Sequence, residues 1–362
     1  MSAATRLALW ERLRAAGVVD RDLPTDDAVT VPWYVRAMVG IAAWIAALFL
    51  LGSILAMLSG LFRSGTSMLA IGLVLCAIAL VVMRAREQNA FVSQFTLALS
   101  LAGQGLFIGG VFSGAAFGSA HPGFDFNGVR LLFIAAFEGC LVLLAPAYVH
   151  RVLCTLAAAV AFGGALVVLR VGELFGPLIA LGFALVALHS THDGDRTALW
   201  QPVVAGLALA LVASIVALIV EPSLAEFGAR MNRTVLPPWT GPAAMTLAFG
   251  IAVALLLRAA GAGSGAGIAL WLAAGVVAAA AWFVSGLLAA GILLLVAFAL
   301  GHEVLIGLGV LALLATLSRY YYGLEATLLV KSAALCATGV ALLAARYGMR
   351  FVGRASAEAD HG

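Results

Sequence analysis

Glu138 is the residue in this chain best placed to do chemistry. It sits between Phe133-Ile134-Ala135-Ala136-Phe137 and Gly139-Cys140-Leu141-Val142-Leu143-Leu144, a long apolar run. A carboxyl there serves as a proton or cation site, or as a polar ligand for a substrate. Alternatively, it is protonated or paired and fixes helix packing. Lys331 is the only lysine and is also embedded in apolar sequence. Its stem reaches an aqueous edge, or its ammonium takes an acceptor such as Glu138 or Glu325. A third group is periodic: Ser93, Thr96, Ser100 and Gln104 recur at i, i+3, i+7 and i+11, which is one helix face. Gln94 flanks it, and Gly105 and Gly109 follow as a small-xxx-small pair. Such a face packs helices closely and bonds them to one another, or it lines a route for a small polar solute.

Other polar groups have simpler readings. His121 and Asp125 share a loop with Pro122 and Gly123, which oppose a helix there. His189, His192, Asp193 and Asp195 read as a solvated turn rather than a metal site. Tyr320-Tyr321-Tyr322 fits an aromatic belt at a membrane interface. Gly261-Ala262-Gly263-Ser264-Gly265 lacks the Gly-Lys-Ser/Thr ending of a phosphate loop. Cys76, Cys140, Cys154 and Cys336 lie inside apolar runs without metal-ligand spacing, so they read as small reduced packing residues. No metal, cofactor or catalytic motif is expected.

The elements that carry these residues follow from composition. The chain has 362 residues, 64% of them hydrophobic and 10% charged, with a mean hydropathy of +1.11. Soluble domains are usually ~45–50% apolar and ~25% charged, so this chain cannot cover a water-facing surface. Soluble enzyme, nucleic-acid binder, disordered protein and secreted disulfide scaffold are all excluded. The expected fold is all-α: a polytopic transmembrane helical bundle.

A membrane-crossing helix needs about 20 apolar residues. Twelve spans are expected, at roughly 37–59, 66–83, 91–112, 130–149, 152–169, 173–190, 198–220, 242–258, 267–284, 286–301, 303–318 and 326–345. The count falls to eleven if Gly301-His302-Glu303 does not break the 286–318 region. Residues 1–36 form a cytoplasmic segment, 37–346 the transmembrane domain and 347–362 a cytoplasmic tail. Within the first segment, Ser2 to Gly17 suits a short amphipathic helix. Charges of both signs precede the first apolar run, which argues against a cleaved signal peptide. Placing both termini on one side leaves six arginines opposite them, namely Arg63, Arg130, Arg170, Arg230, Arg233 and Arg319, against thirteen on the terminal side. The positive-inside rule makes that side cytoplasmic, N-in and C-in.

Several stretches share a pattern. Pro32-Trp33-Tyr34-Val35-Arg36 runs into Gly40-Ile41-Ala42-Ala43-Trp44. Ser93-Gln94 precedes Ser100-Leu101-Ala102-Gly103-Gln104. Tyr148-Val149-His150-Arg151 opens the fifth span. Tyr320-Tyr321-Tyr322-Gly323-Leu324-Glu325 precedes Thr327-Leu328-Leu329, Lys331-Ser332, Gly339 and Arg346. Together they resemble the bacterial membrane-protein family called domain of unknown function 4401, from about residue 30 to 350. The resemblance implies a membrane complex whose partners include a small membrane protein with a GDYxxLxY motif and related multi-span proteins. It supplies no catalytic residues.

The expectation is therefore a multi-pass protein of a bacterial inner membrane, partnered by the lipid bilayer and not by nucleic acid. It is expected to be a non-enzymatic component of a membrane protein complex. The alternative is a secondary transporter or proton-coupled permease for a small solute, favoured by Glu138 and the 93–104 stripe. Matching broken helices in the two halves, the best sequence pointer to a transporter site, are not visible.

Overall fold

The computed structural model describes residues 64–85, 90–113, 127–190, 197–228, 235–261, 264–282 and 284–323, with parts of 10–17 and 38–53. Lys331, Glu325, Cys336, His121, Asp125, His192, Asp193, Asp195 and the 347–362 tail lie outside the described residues. All regular structure among the described residues is helical.

Among the described residues, ten long helices follow in order: α1 (Gly65–Met83), α2 (Ala90–Phe112), α3 (Gly128–Leu144), α4 (Tyr148–Val168), α5 (Phe175–Ser190), α6 (Thr197–Gly228), α7 (Thr240–Ala259), α8 (Ser264–Ala280), α9 (Ser285–Leu300) and α10 (Glu303–Gly323). A 3-10 turn, Gly172–Leu174, leads into α5. Seven segments of these helices, within α1, α2, α4, the 3-10 turn with α5, α6, α7 and α10, are long and apolar enough to cross a membrane. The chain is a multi-pass α-helical membrane protein.

Local chemistry sets the helix ends. Ser64 caps α1 by accepting from Ser67 N–H at 3.2 Å, and Asn127 caps α3 by accepting from Val129 N–H at 3.0 Å. Each satisfies a donor that has no partner inside its helix. Between α3 and α4 the chain turns within Ala145-Pro146-Ala147. Gly301 ends α9 with φ 63°, a left-handed conformation that glycine adopts without a Cβ clash. The Gly301-His302 break thus separates two helices, and α9 and α10 pack against each other as a hairpin. Near the N-terminus, helical residues at 10–12 and 14–15 end at Gly17, whose φ is also positive.

The helices pair as hairpins: α1 with α2, α3 with α4, and α9 with α10. The α1–α2 pairing rests on backbone proximity. A Cβ on Gly72 would lie 2.6 Å from the Phe107 nitrogen, one on Gly103 2.9 Å from the Gly72 carbonyl oxygen, and one on Gly110 2.8 Å from the Gly65 carbonyl oxygen. Small residues of this kind let helix backbones touch. The close contact falls on Gly103 and Gly110, whereas a Cβ on Gly105 would meet open space and one on Gly109 only the end of Met68. The expected small-xxx-small pair is displaced because α1 approaches another edge of α2.

The main apolar core belongs to the second half of the chain. Phe183, Leu211, Ile215, Met245, Leu288, Ile292, Leu293 and Val296 fill it, from α5, α6, α7 and α9. Helix α4 joins the two halves by packing on α6, where a Cβ on Gly206 would lie 2.5 Å from that of Thr155.

Candidate functional site

A buried polar cluster lies where the α1–α2 and α3–α4 hairpins meet. Helix α2 presents Thr96, Ser100 and Gln104, which are 1%, 0% and 5% exposed. Ser93, one turn earlier, is half-buried. Gln94 points elsewhere and accepts a hydrogen bond from Trp44 Nε1 at 3.2 Å. Helix α4 contributes His150 and Cys154, α3 contributes Glu138, and α1 contributes Cys76. His150, Cys154 and Glu138 are all fully buried.

His150 is the hub. Its Nε2 lies 2.7 Å from Ser100 Oγ and 3.2 Å from Gln104 Nε2. The Gln104 amide nitrogen can only donate. Nε2 therefore accepts, and a neutral imidazole carries its proton on Nδ1. Nδ1 faces Cys154 Sγ, one turn along α4, at 3.5 Å. Gln104 Nε2 also lies 3.3 Å from Ser100 Oγ and 3.5 Å from Cys154 Sγ. Cys76 donates to the Ser100 carbonyl at 3.6 Å.

Glu138 borders this network without being closed by it. Neither carboxyl oxygen has a hydrogen-bond partner among the described residues. The Cys154 thiol and Cys76 both lie within electrostatic reach of the carboxyl. Buried polar side chains nearly always find a partner, so this carboxyl calls for a proton, an occupant or a partner outside the described residues. A charged group at bilayer depth costs roughly 2.5–3.5 kcal/mol on insertion scales.

Three candidates from the sequence thus converge: Ser100 and Gln104 inside the network and Glu138 at its border. Thr96 instead returns its hydroxyl to the Val92 carbonyl one turn back. Sequence reasoning missed His150, Cys154 and Cys76. His150 sits at the start of its apolar run, where a histidine reads as interfacial. The i, i+4 spacing of His150 and Cys154 was the available signal. Cys140, expected to be buried between helices, faces outward instead, because the inward face of α3 runs through Leu131, Ile134, Glu138 and Leu141. Among the described residues, no three His, Cys, Asp or Glu side chains converge closely enough to hold a metal ion.

The arrangement defines a helical membrane protein with a protonatable polar cluster enclosed between two hairpins. Residues 32–350 match the family described as Domain of unknown function (DUF4401), and the chain belongs to that family. No curated protein and no solved structure matches it.

Proposed function

We propose that this chain is a proton-coupled permease for a small solute, with Glu138 as the proton-binding carboxyl and the His150 network as its polar surround. The observation that carries this reading is the enclosed Glu138 carboxyl, which has no hydrogen-bond partner among the described residues and lies beside a second titratable side chain through Cys154. A group retained only for packing is expected to be satisfied. An intramembrane ionisable residue is by default a functional group, and proton relays and ion pathways are among its commonest uses. The protein would cross a bacterial inner membrane about twelve times, with both termini in the cytoplasm, and would carry out no covalent chemistry.

The test uses proteoliposomes with a trapped pH dye. Pools of amino acids, sugars and nucleosides are added outside in turn. Wild-type protein should move protons with one pool. Glu138→Gln should retain expression and thermal stability and lose the proton movement. Proton movement unchanged in Glu138→Gln, or none with any pool in wild type, sinks the reading.

A second reading is a non-enzymatic component of a membrane complex, with a small GDYxxLxY-motif protein or related multi-span proteins as partners. Helix α8 favours it. It packs sparsely, mainly on α7, and leaves Leu270, Trp271, Leu272, Val276 and Val277 facing outward. A stoichiometric partner retained in a mild-detergent pull-down would support this role, and a clean monomer would oppose it.

A further inference from the structure

We propose that the Glu138–His150 cluster exchanges protons with one membrane face only, the face carrying Arg84 and Arg151, and that Phe107 and Phe137 close it to the other. This rests on the proton-binding reading of Glu138 and adds its sidedness.

The first observation is a change of character along one face of α2. Ser93, Thr96, Ser100 and Gln104 are followed on that face, at i+14 and i+18 from Ser93, by Phe107 and Val111. Both are buried, at 3% and 0% exposure. A polar track enters from the N-terminal end of α2 and stops at Gln104. Beyond it Phe107 stacks on Phe137, the residue preceding Glu138, with ring centroids 3.8 Å apart and planes within 20°. Val111, Phe112, Leu131, Ile134 and Ala165 continue the seal.

The second observation is depth. With a rise of about 1.5 Å per residue, Glu138 lies about 9 Å from the Leu144 end of α3 and about 15 Å from the Gly128 end. His150 lies only about 3 Å along the axis from the start of α4 and about 27 Å from its far end. The near ends are tied together, since Arg84, capping α1, donates to the Leu144 carbonyl at 2.9 Å. Arg151, on the same level, is half-buried. The cluster therefore sits under a thin cap on the Arg84 side and, on the other, behind an apolar plug whose outer edge holds the buried Arg130, which donates to the Phe112 carbonyl at 3.4 Å.

Around Glu138, α1 places Cys76 within electrostatic reach and α4 places Cys154 beside the carboxyl with His150 behind it, while the non-titrating Gln104 of α2 reaches it only through Cys154. Arg84 and Arg151 mark the entrance.

The experiment uses unidirectionally reconstituted proteoliposomes with the pH clamped separately on each side. Dicyclohexylcarbodiimide enters through lipid and reacts with a protonated carboxyl, and mass spectrometry locates the adduct. Labelling of Glu138 should follow the pH of the Arg84 face and ignore the pH of the opposite face. In Phe107→Ala it should respond to both. Labelling in wild type that tracks the opposite face, or both faces, overturns the sidedness while leaving the proton site standing. No labelling of Glu138 at any pH overturns the proton site itself, and the sidedness with it. A second measurement does not depend on Glu138 chemistry. A charged methanethiosulfonate should modify Thr96→Cys from the Arg84 face and not from the other, and the opposite result overturns the proposal.

Discussion

Ser100 Oγ and His150 Nε2 lie 2.7 Å apart, both fully buried, and join α2 to α4 across the seam between two hairpins. The bond is the shortest between two side chains in the cluster, and its two residues are separated by fifty positions in the chain. It makes the relative placement of the hairpins a matter of directional chemistry as well as of shape.

That bond should be measurable as a coupling. In a double-mutant cycle with Ser100→Ala and His150→Phe, the coupling energy should be about 0.6 kcal/mol and no more than about 1.7 kcal/mol, the average and the maximum found for hydrogen bonds between membrane helices. Thermal unfolding in detergent measures it. A coupling near zero would mean that the two side chains are neighbours without being partners.

The glycine contacts make a sharper contrast. A Cβ at Gly103 would stand 2.8 Å from Cys76 Sγ and 2.9 Å from the Gly72 carbonyl oxygen. Gly103→Ala must therefore push α1 and α2 apart, with an expected loss of about 1–3 kcal/mol. Gly105→Ala meets nothing within 4 Å, and should be neutral or stabilising by up to about 1 kcal/mol. Equal behaviour of the two variants in a melting experiment would contradict the helix pairing.

At the α9–α10 corner, Gly301 has φ 63°. Gly301→Ala should lower stability by about 1–2 kcal/mol, the cost of a left-handed conformation for a residue with a Cβ. The space around it is open, so steric overlap adds nothing. A melting temperature equal to that of wild type would show that the corner relaxes.

The proposed N-in, C-in arrangement is checked with reporters. A fusion after Arg354 should be active in the cytoplasm, and one inserted in the 119–128 loop should be active outside. The reverse pattern would invert the orientation and, with it, the side assigned to Arg84 and Arg151.

The sequence showed the helical membrane class because an apolar excess of this size admits little else. It also exposed Glu138, Gln104 and Ser100, since a polar group stands out against leucine and alanine. His150 escaped because its position at the mouth of an apolar run is ambiguous. Only the rotation of α4, which turns His150 and Cys154 to the same buried face, decides that it points inward. Cys76 and Cys154 escaped for a different reason: a thiol in an apolar helix has the same signature whether it meets leucine or a carboxyl. Helix ends were only partly legible. Helix α6 runs to Gly228, beyond the span expected to end near residue 220, because Glu221 and Pro222 mark a membrane edge without ending a helix.

The division of the cluster between hairpins also bears on how the protein is made. The α1–α2 hairpin carries Cys76, Ser100 and Gln104 into lipid, and the α3–α4 hairpin, emerging later from the ribosome, carries Glu138, His150 and Cys154. Until the two dock, each exposes polar groups to a medium that offers them nothing to bond with. Their union removes that exposure from both at once. The buried polar seam is thus an adhesive between α1–α2 and α3–α4, favouring their union as soon as both hairpins are in the bilayer.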